Sequence, residues 1–306
     1  MRSNFRRVLL MALATGVILA AGCFRRPVAV DTRTVSFESG GHRLVADVYT
    51  PRRPNQIGVV LLHGSSPSGR RLFLYPELCH ALAQRGYTLL NVDQRGYGDS
   101  DDPHRPNLID DYDFVGDAVR AVQFAAQSAP AISTWVLLGH SKGGGVALHA
   151  GGQSDAVRAV ISISPGRRMD ARYFDPEGRR QIAYLQRRKS RDMRLPEPIP
   201  VELLEPMLKS YDMGELRGTT WTKPLLLLEG AREPDDDLAY SREWIETLSG
   251  PVTHHVLAGA DHYFGTGIAE TDGVKAWQIT RLDVFDALVE LVDDWLQSIH
   301  LNPTDP

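Results

Sequence analysis

The sequence predicts an α/β fold: a mostly parallel central sheet flanked by helices, with a helical cap insertion. Three observations carry this. Continuous apolar runs recur at 57–62, 88–92, 135–138, 159–163, 225–228 and 252–257, as strands buried on both faces require. Helix-length amphipathic segments at 72–85, 109–128, 143–152, 237–249 and 276–299 separate or follow them, which is the order a parallel sheet needs. One interval, 166–220, breaks the alternation and is too long for a plain connection.

The chain opens with Arg2, Arg6 and Arg7 before an apolar stretch at 8–22 that ends Leu19-Ala-Ala-Gly-Cys23. The stretch is shorter than the roughly 20 residues a membrane-spanning helix needs, and it has the layout of an export signal. Its end resembles the lipobox of bacterial lipoproteins, although Ala20 stands where leucine is commoner. The resemblance implies a signal peptide at 1–22, cleavage before Cys23, lipid on Cys23 and a short tether over 23–34. More than one acyl chain makes a stable membrane anchor. Phe24 follows the cysteine, with no aspartate there to suggest inner-membrane retention, which points to a periplasm-facing, outer-membrane location.

Composition narrows the classes. The net charge is −4 and the three leader arginines contribute to it, so the remainder is more acidic still. That balance argues against a nucleic-acid partner. Two cysteines, with no C-x-x-C and no H-E-x-x-H, give no disulfide framework and no expected metal or cofactor. Cys79 lies on an apolar helical stretch and reads as a buried thiol.

From 35 onward the chain reads as one catalytic domain reaching 302. Segments 34–39 and 43–49 alternate apolar and polar residues around Gly40-Gly41, as a β-hairpin does. The run at 57–62 ends in His63-Gly64-Ser65. Gly64 to Gly69 matches half of a phosphate-binding loop, but Arg70-Arg71 stand where it needs Lys and Ser/Thr. The run at 88–92 ends in Asp93-Gln-Arg-Gly-Tyr-Gly-Asp-Ser100, which is no dinucleotide fingerprint. The run at 135–138 breaks at Gly139-His-Ser141-Lys-Gly143, a nucleophile-elbow pattern that holds a serine on a strained strand-to-helix turn. The interval 166–220 is rich in arginine, including Arg187 and Arg188. Its basic face suits either an anionic ligand or plain solvation.

A serine needs a histidine to take its proton and an acid to orient that histidine. Downstream, the strand at 225–228 leads to a loop with Glu233, Asp235 and Asp236, and the strand at 252–257 leads to a loop with His262. Glu233 is the first candidate acid and Asp235 the alternative. His254 and His255 lie within the strand and read as structural, and His140 as a neighbour of the site. The cation of Lys142 reads as exposed or ion-paired at a helix start.

Taken together, His63-Gly64, the turn from Asp93 to Ser100, the elbow at Ser141, Gly230-x-x-Glu233 and Asp261-His262 resemble the α/β-hydrolase superfamily. The similarity is greatest to its serine-aminopeptidase-like and monoacylglycerol-lipase-like branch. It covers about 35–300, with 166–220 poorly matched, and glutamate stands where these enzymes usually place aspartate. The resemblance implies a Ser141–His262–Glu233 triad, an oxyanion hole from the backbone N–H groups of Ser65 and Lys142, and a structural turn after Asp93. The expected function is a lipid-anchored serine hydrolase cleaving carboxylic esters of small-molecule or lipid-like character through an acyl-enzyme. Thioesterase and peptidase variants of the same site, and a catalytically silent binding lipoprotein, stand as alternatives. Oligomeric state is left open.

Overall fold

A computed structural model describes residues 29–101, 112–165, 179–193, 198–271 and 274–300. The export signal, Cys23 and Arg167, Arg168, Arg172 and Arg194 of the 166–220 interval lie outside them. Eight strands form one sheet in the order β1-β2-β4-β3-β5-β6-β7-β8. These are β1 (Val30–Ser39), β2 (His42–Pro51), β3 (Ile57–Leu62), β4 (Thr88–Val92), β5 (Thr134–His140), β6 (Ala159–Ile163), β7 (Leu225–Gly230) and β8 (Val252–Leu257). The β1–β2 hairpin is antiparallel and joins β4 antiparallel, while β3 to β8 run parallel. β1 begins at Val30, inside the stretch read as tether, because pairing with β2 extends the ladder to Pro51.

The continuous apolar runs are explained by two cores, one on each face. Val60, Leu62, Leu137 and Val160 face one core, and their neighbours Val59, Leu61, Val136 and Ile161 face the other. Alternate residues of a strand point to opposite faces, so a strand covered twice must be apolar throughout. Helices α2 (Phe114–Ser128) and α3 (Lys142–Gln153) cover the first face. Helices α1 (Leu74–Gln84) and α7 (Leu282–His300) cover the second. The Asp113 carboxylate caps α2 by accepting from the Gly116 N–H.

Between β6 and β7 the described residues form α4 (Arg179–Asp192) and α5 (Val201–Lys209). Met193, Leu204, Met207 and Tyr211 join the core on the α2–α3 face, so this segment is packed onto the domain. Helix α6 (Asp235–Glu246) follows β7.

The last segment needs a correction. A helix is expected over 276–299, yet α7 starts at Leu282 and is preceded by a hairpin, β9 (Thr266–Thr271) with β10 (Val274–Ile279). Trp277 and Ile279 pack with the α7 core, so they extend its apolar pattern backward without being helical.

Candidate active site

The residues singled out in the sequence gather at the carboxyl ends of the parallel strands, where open α/β sheets bind ligands. β5 delivers Ser141, with φ 55° and ψ −123°, directly into the first turn of α3. The turn needs both elbow glycines: a side chain at Gly139 would strike the Gly143 carbonyl, and one at Gly143 would strike the Leu62 carbonyl. The Ser141 N–H donates to the Ile163 carbonyl at 2.8 Å, which fixes the strained residue to β6.

The next strand over supplies the loop with the candidate oxyanion donors. A Cβ placed on Gly64 would lie 2.9 Å from the Ser141 Cβ, so the His63–Ser65 loop runs against the elbow. The Ser65 N–H makes no hydrogen bond to another described residue. Lys142 opens α3, and its N–H makes no hydrogen bond to another described residue.

β7 and β8 bring the acid and histidine together. Gly230 and Leu257 are paired in register, so the loops after them leave the sheet side by side, and the Arg232 N–H donates to the Ala260 carbonyl at 2.9 Å. Glu233 Oε1 lies 2.6 Å from His262 Nδ1. Its side chain is 9% exposed and that of His262 is 38%, so the acid is the sheltered partner and the imidazole the accessible one. Asp235 instead opens α6, whose N-cap is Pro234. Among the described residues the contact to His262 belongs to Glu233 and not to Asp235.

Sequence reasoning missed Tyr75. Its Oη accepts from the Gly64 N–H at 2.7 Å and donates to His140 Nδ1 at 2.9 Å. His140 Nε2–H then donates to the His262 carbonyl at 2.8 Å. One chain of hydrogen bonds thus ties the Gly64 loop, the elbow and the His262 loop together. Tyr75 lies on an apolar helix, and no local pattern separates it from an ordinary core tyrosine. His63 is also buried: its Nδ1–H donates to the Gly64 carbonyl at 2.6 Å and its Nε2 accepts from the Gln94 N–H at 3.0 Å.

Burial pulls the pKa of both His63 and His140 down to about 3, helped by the charge of Lys142 for the first and of His262 for the second. Unfolding returns them to about 6.5. Between those values the unfolded chain binds a proton on each that the folded chain refuses, so stability falls as pH falls through that window. Replacing His140 by glutamine should flatten unfolding free energy against pH by about one proton, or about 1.4 kcal/mol per pH unit. Denaturant titrations between pH 4 and 6 read this slope directly, and equal slopes for both proteins would mean the folded imidazole is already charged.

The turn after β4 is structural in its contacts. The Asp93 carboxylate accepts from the Arg70 N–H at 2.7 Å and the Asp99 N–H at 2.8 Å, and pairs with the Arg70 guanidinium. Arg95 forms a buried pair with Asp117 at 2.6 Å. His254 pairs with Glu229 at 2.8 Å, away from His262. Cys79 is free and buried, with burial raising its thiol well above its ordinary range. Among the described residues no group of three or more metal-ligand types is assembled.

Arg187 and Arg188 are both exposed, with Arg188 3.8 Å from Asp192. The expectation for Lys142 changes. Lys142 is buried, 3% exposed, with no ion pair among the described residues. Its side chain turns inward because the rings of Tyr97 and Phe114 receive it.

Comparison with known proteins agrees with this layout. Residues 53–212 match the family described as serine aminopeptidase, S33. A monoacylglycerol lipase of Mycolicibacterium smegmatis is 34% identical over 125 residues, covering 41% of this chain and 43% of that protein. The AB hydrolase superfamily protein YisY of Bacillus subtilis is 32% identical over 134 residues, covering 41% of this chain and 46% of that protein. The match therefore spans less than half of either relative. Among solved structures, Est1E from Butyrivibrio proteoclasticus, bound to ferulic acid, superposes with a TM-score of 0.59 at 16% identity, over 86% of this chain and 98% of that one. Dienelactone hydrolase from Anabaena variabilis gives 0.55 at 17%, over 88% and 98%. At these identities the structures speak to fold alone.

Proposed function

We propose that this chain, which belongs to the serine aminopeptidase (S33) family of α/β-hydrolases, is a serine hydrolase that cleaves carboxylic esters through an acyl-enzyme. The observation that carries the reading is the 2.6 Å Glu233–His262 pair, set beside a serine held at positive φ on an elbow. The monoacylglycerol lipase name of one relative favours esters over amides.

Ser141 Oγ attacks the ester carbonyl carbon while His262 Nε2 takes its proton. Glu233 accepts from His262 Nδ1–H, holding the tautomer and stabilising the imidazolium. The N–H groups of Ser65 and Lys142 receive the negative oxygen. The C–O bond to the alcohol then breaks, and His262 returns the proton to the leaving oxygen. Water repeats the sequence on the acyl-enzyme, releasing a carboxylic acid and restoring Ser141. The α4–α5 segment serves as the cap over this site. The contact of Glu233 with His262 favours activity over the silent binding protein that glutamate in an aspartate's place suggests.

The test is turnover by purified protein of 4-nitrophenyl esters, matched thioesters and aminoacyl anilides, each against Ser141→Ala. Ester hydrolysis that depends on Ser141 supports the reading; turnover confined to anilides would make it a peptidase.

The lipobox-like Cys23 supports anchoring to a membrane facing the periplasm. No helix among the described residues is long and apolar enough to span one. Cys23→Ser should move the protein from the membrane pellet to the soluble fraction of the producing cell. A variant that stays in the pellet after a carbonate wash would remove lipidation as the anchor.

A further inference from the structure

Acyl transfer uses neither of the two lysine side chains buried beside the elbow. Lys142 Nζ sits 3.8 Å from the centre of the Phe114 ring and 4.1 Å from that of Tyr97, and has no hydrogen-bond partner among the described residues. Lys189, from α4, reaches the Ser65 Oγ at 2.6 Å, with its Nζ 5.6 Å from the centre of the Tyr211 ring. Tyr211 packs edge-on against Phe114, 6.1 Å between centres, and its Oη is buried without a hydrogen-bond partner among the described residues. Lys142 thus lies over the Phe114 ring, Tyr211 packs against that same ring, and Lys189 lies over Tyr211 while bonding Ser65 beside the elbow.

Nearby acids are already engaged. Asp117 accepts from Arg95 and from the Ser39 hydroxyl, and Asp192 lies between Arg188 and Arg191. A buried ammonium with no counter-charge destabilises a fold, and ring contacts offset only part of that. Burial holds Lys142 well below the usual lysine range, with the charge of Lys189 as the next cause, and burial holds Lys189 at about 8. An anion among these groups would favour the charged form of both amines and satisfy the donors of Lys142 and Tyr211.

We infer that Lys142 Nζ, Lys189 Nζ and Tyr211 Oη form a subsite for an anionic oxygen group on the substrate, a carboxylate or a phosphate, so that the enzyme selects acidic esters. This rests on Ser141 being the nucleophile. Among the described residues of the arginine-rich segment, Lys189 is the one bonded to Ser65.

The test compares kcat/KM for two pairs of isosteric esters. One pair is 4-nitrophenyl hydrogen glutarate against 4-nitrophenyl valerate, for a carboxylate. The other is 1-acylglycerol 3-phosphate against 1-monoacylglycerol, for a phosphate. Wild type should favour the charged member of at least one pair roughly tenfold or more, and Lys142→Met and Lys189→Met should each cut that ratio about tenfold. The pair that shows the preference identifies the anion. Methionine keeps the apolar stem among the rings, and labelling of Ser141 by a neutral fluorophosphonate certifies each variant's site, so a variant that fails to label leaves the decision to the other. A labelled wild type with no charge preference in either pair, or ratios unchanged in the labelled variants, overturns the subsite alone. A wild type that neither labels nor hydrolyses any ester overturns the hydrolase reading itself.

Discussion

Ser141→Ala is expected to lower kcat/KM on 4-nitrophenyl esters by about 10⁶, with His262→Ala close behind because the two act as one unit. What remains should be a weak acceleration from the oxyanion donors and substrate binding, which survive the loss of the nucleophile. The fold should survive too. The backbone at φ 55° is held by the Ser141 N–H bond to Ile163 and by the glycines around it, none of which needs the hydroxyl. Steady-state assays at high enzyme concentration, with unfolding measured alongside, separate the two effects. Activity within tenfold of wild type in a folded Ser141→Ala protein would mean the ester is cleaved elsewhere.

Glu233→Gln should lower kcat by about 10⁴, the cost of a triad acid that keeps its shape and loses its charge. An amide in that place can offer an N–H to Nδ1 and so favour the tautomer that puts a proton on Nε2, where a base is needed. Asp235→Asn should change kcat little, since Asp235 is an exposed residue of the first turn of α6. Its loss touches only the interaction with the helix dipole, worth a few tenths to about 1 kcal/mol. The reverse ranking would move the acid by two residues and require the Glu233–His262 contact to break before turnover.

The sheet was legible because a strand covered on both faces must be apolar at every position, and the parallel strands β3 to β7 announce themselves that way or nearly so, whereas the edge strand β8 carries Thr253, His254 and His255 and is buried only at Leu257. The elbow was legible because only glycine fits at 139 and 143, a constraint imposed by the Gly143 carbonyl on the first and by the Leu62 carbonyl of β3 on the second. The acid could not be chosen from Glu233 and Asp235 by pattern, since the choice depends on the registered exit of β7 and β8. The β9–β10 hairpin was hidden because Trp277 and Ile279 pack with α7 and mimic its spacing. Tyr75 and Lys142 were misjudged for a common reason. Their partners come from distant parts of the chain: His140 and Gly64 for the one, Tyr97 and Phe114 for the other. Nothing within a few residues of either reports those contacts.

The central claim, that Ser141 is a nucleophile activated by His262, is tested most directly by covalent labelling. Purified protein is treated with a fluorophosphonate, digested, and its adduct located by mass spectrometry. The expected result is a single adduct on Ser141 that disappears in Ser141→Ala and slows by orders of magnitude in His262→Ala. A folded protein that takes no adduct at Ser141, or takes it equally fast without His262, would contradict the account.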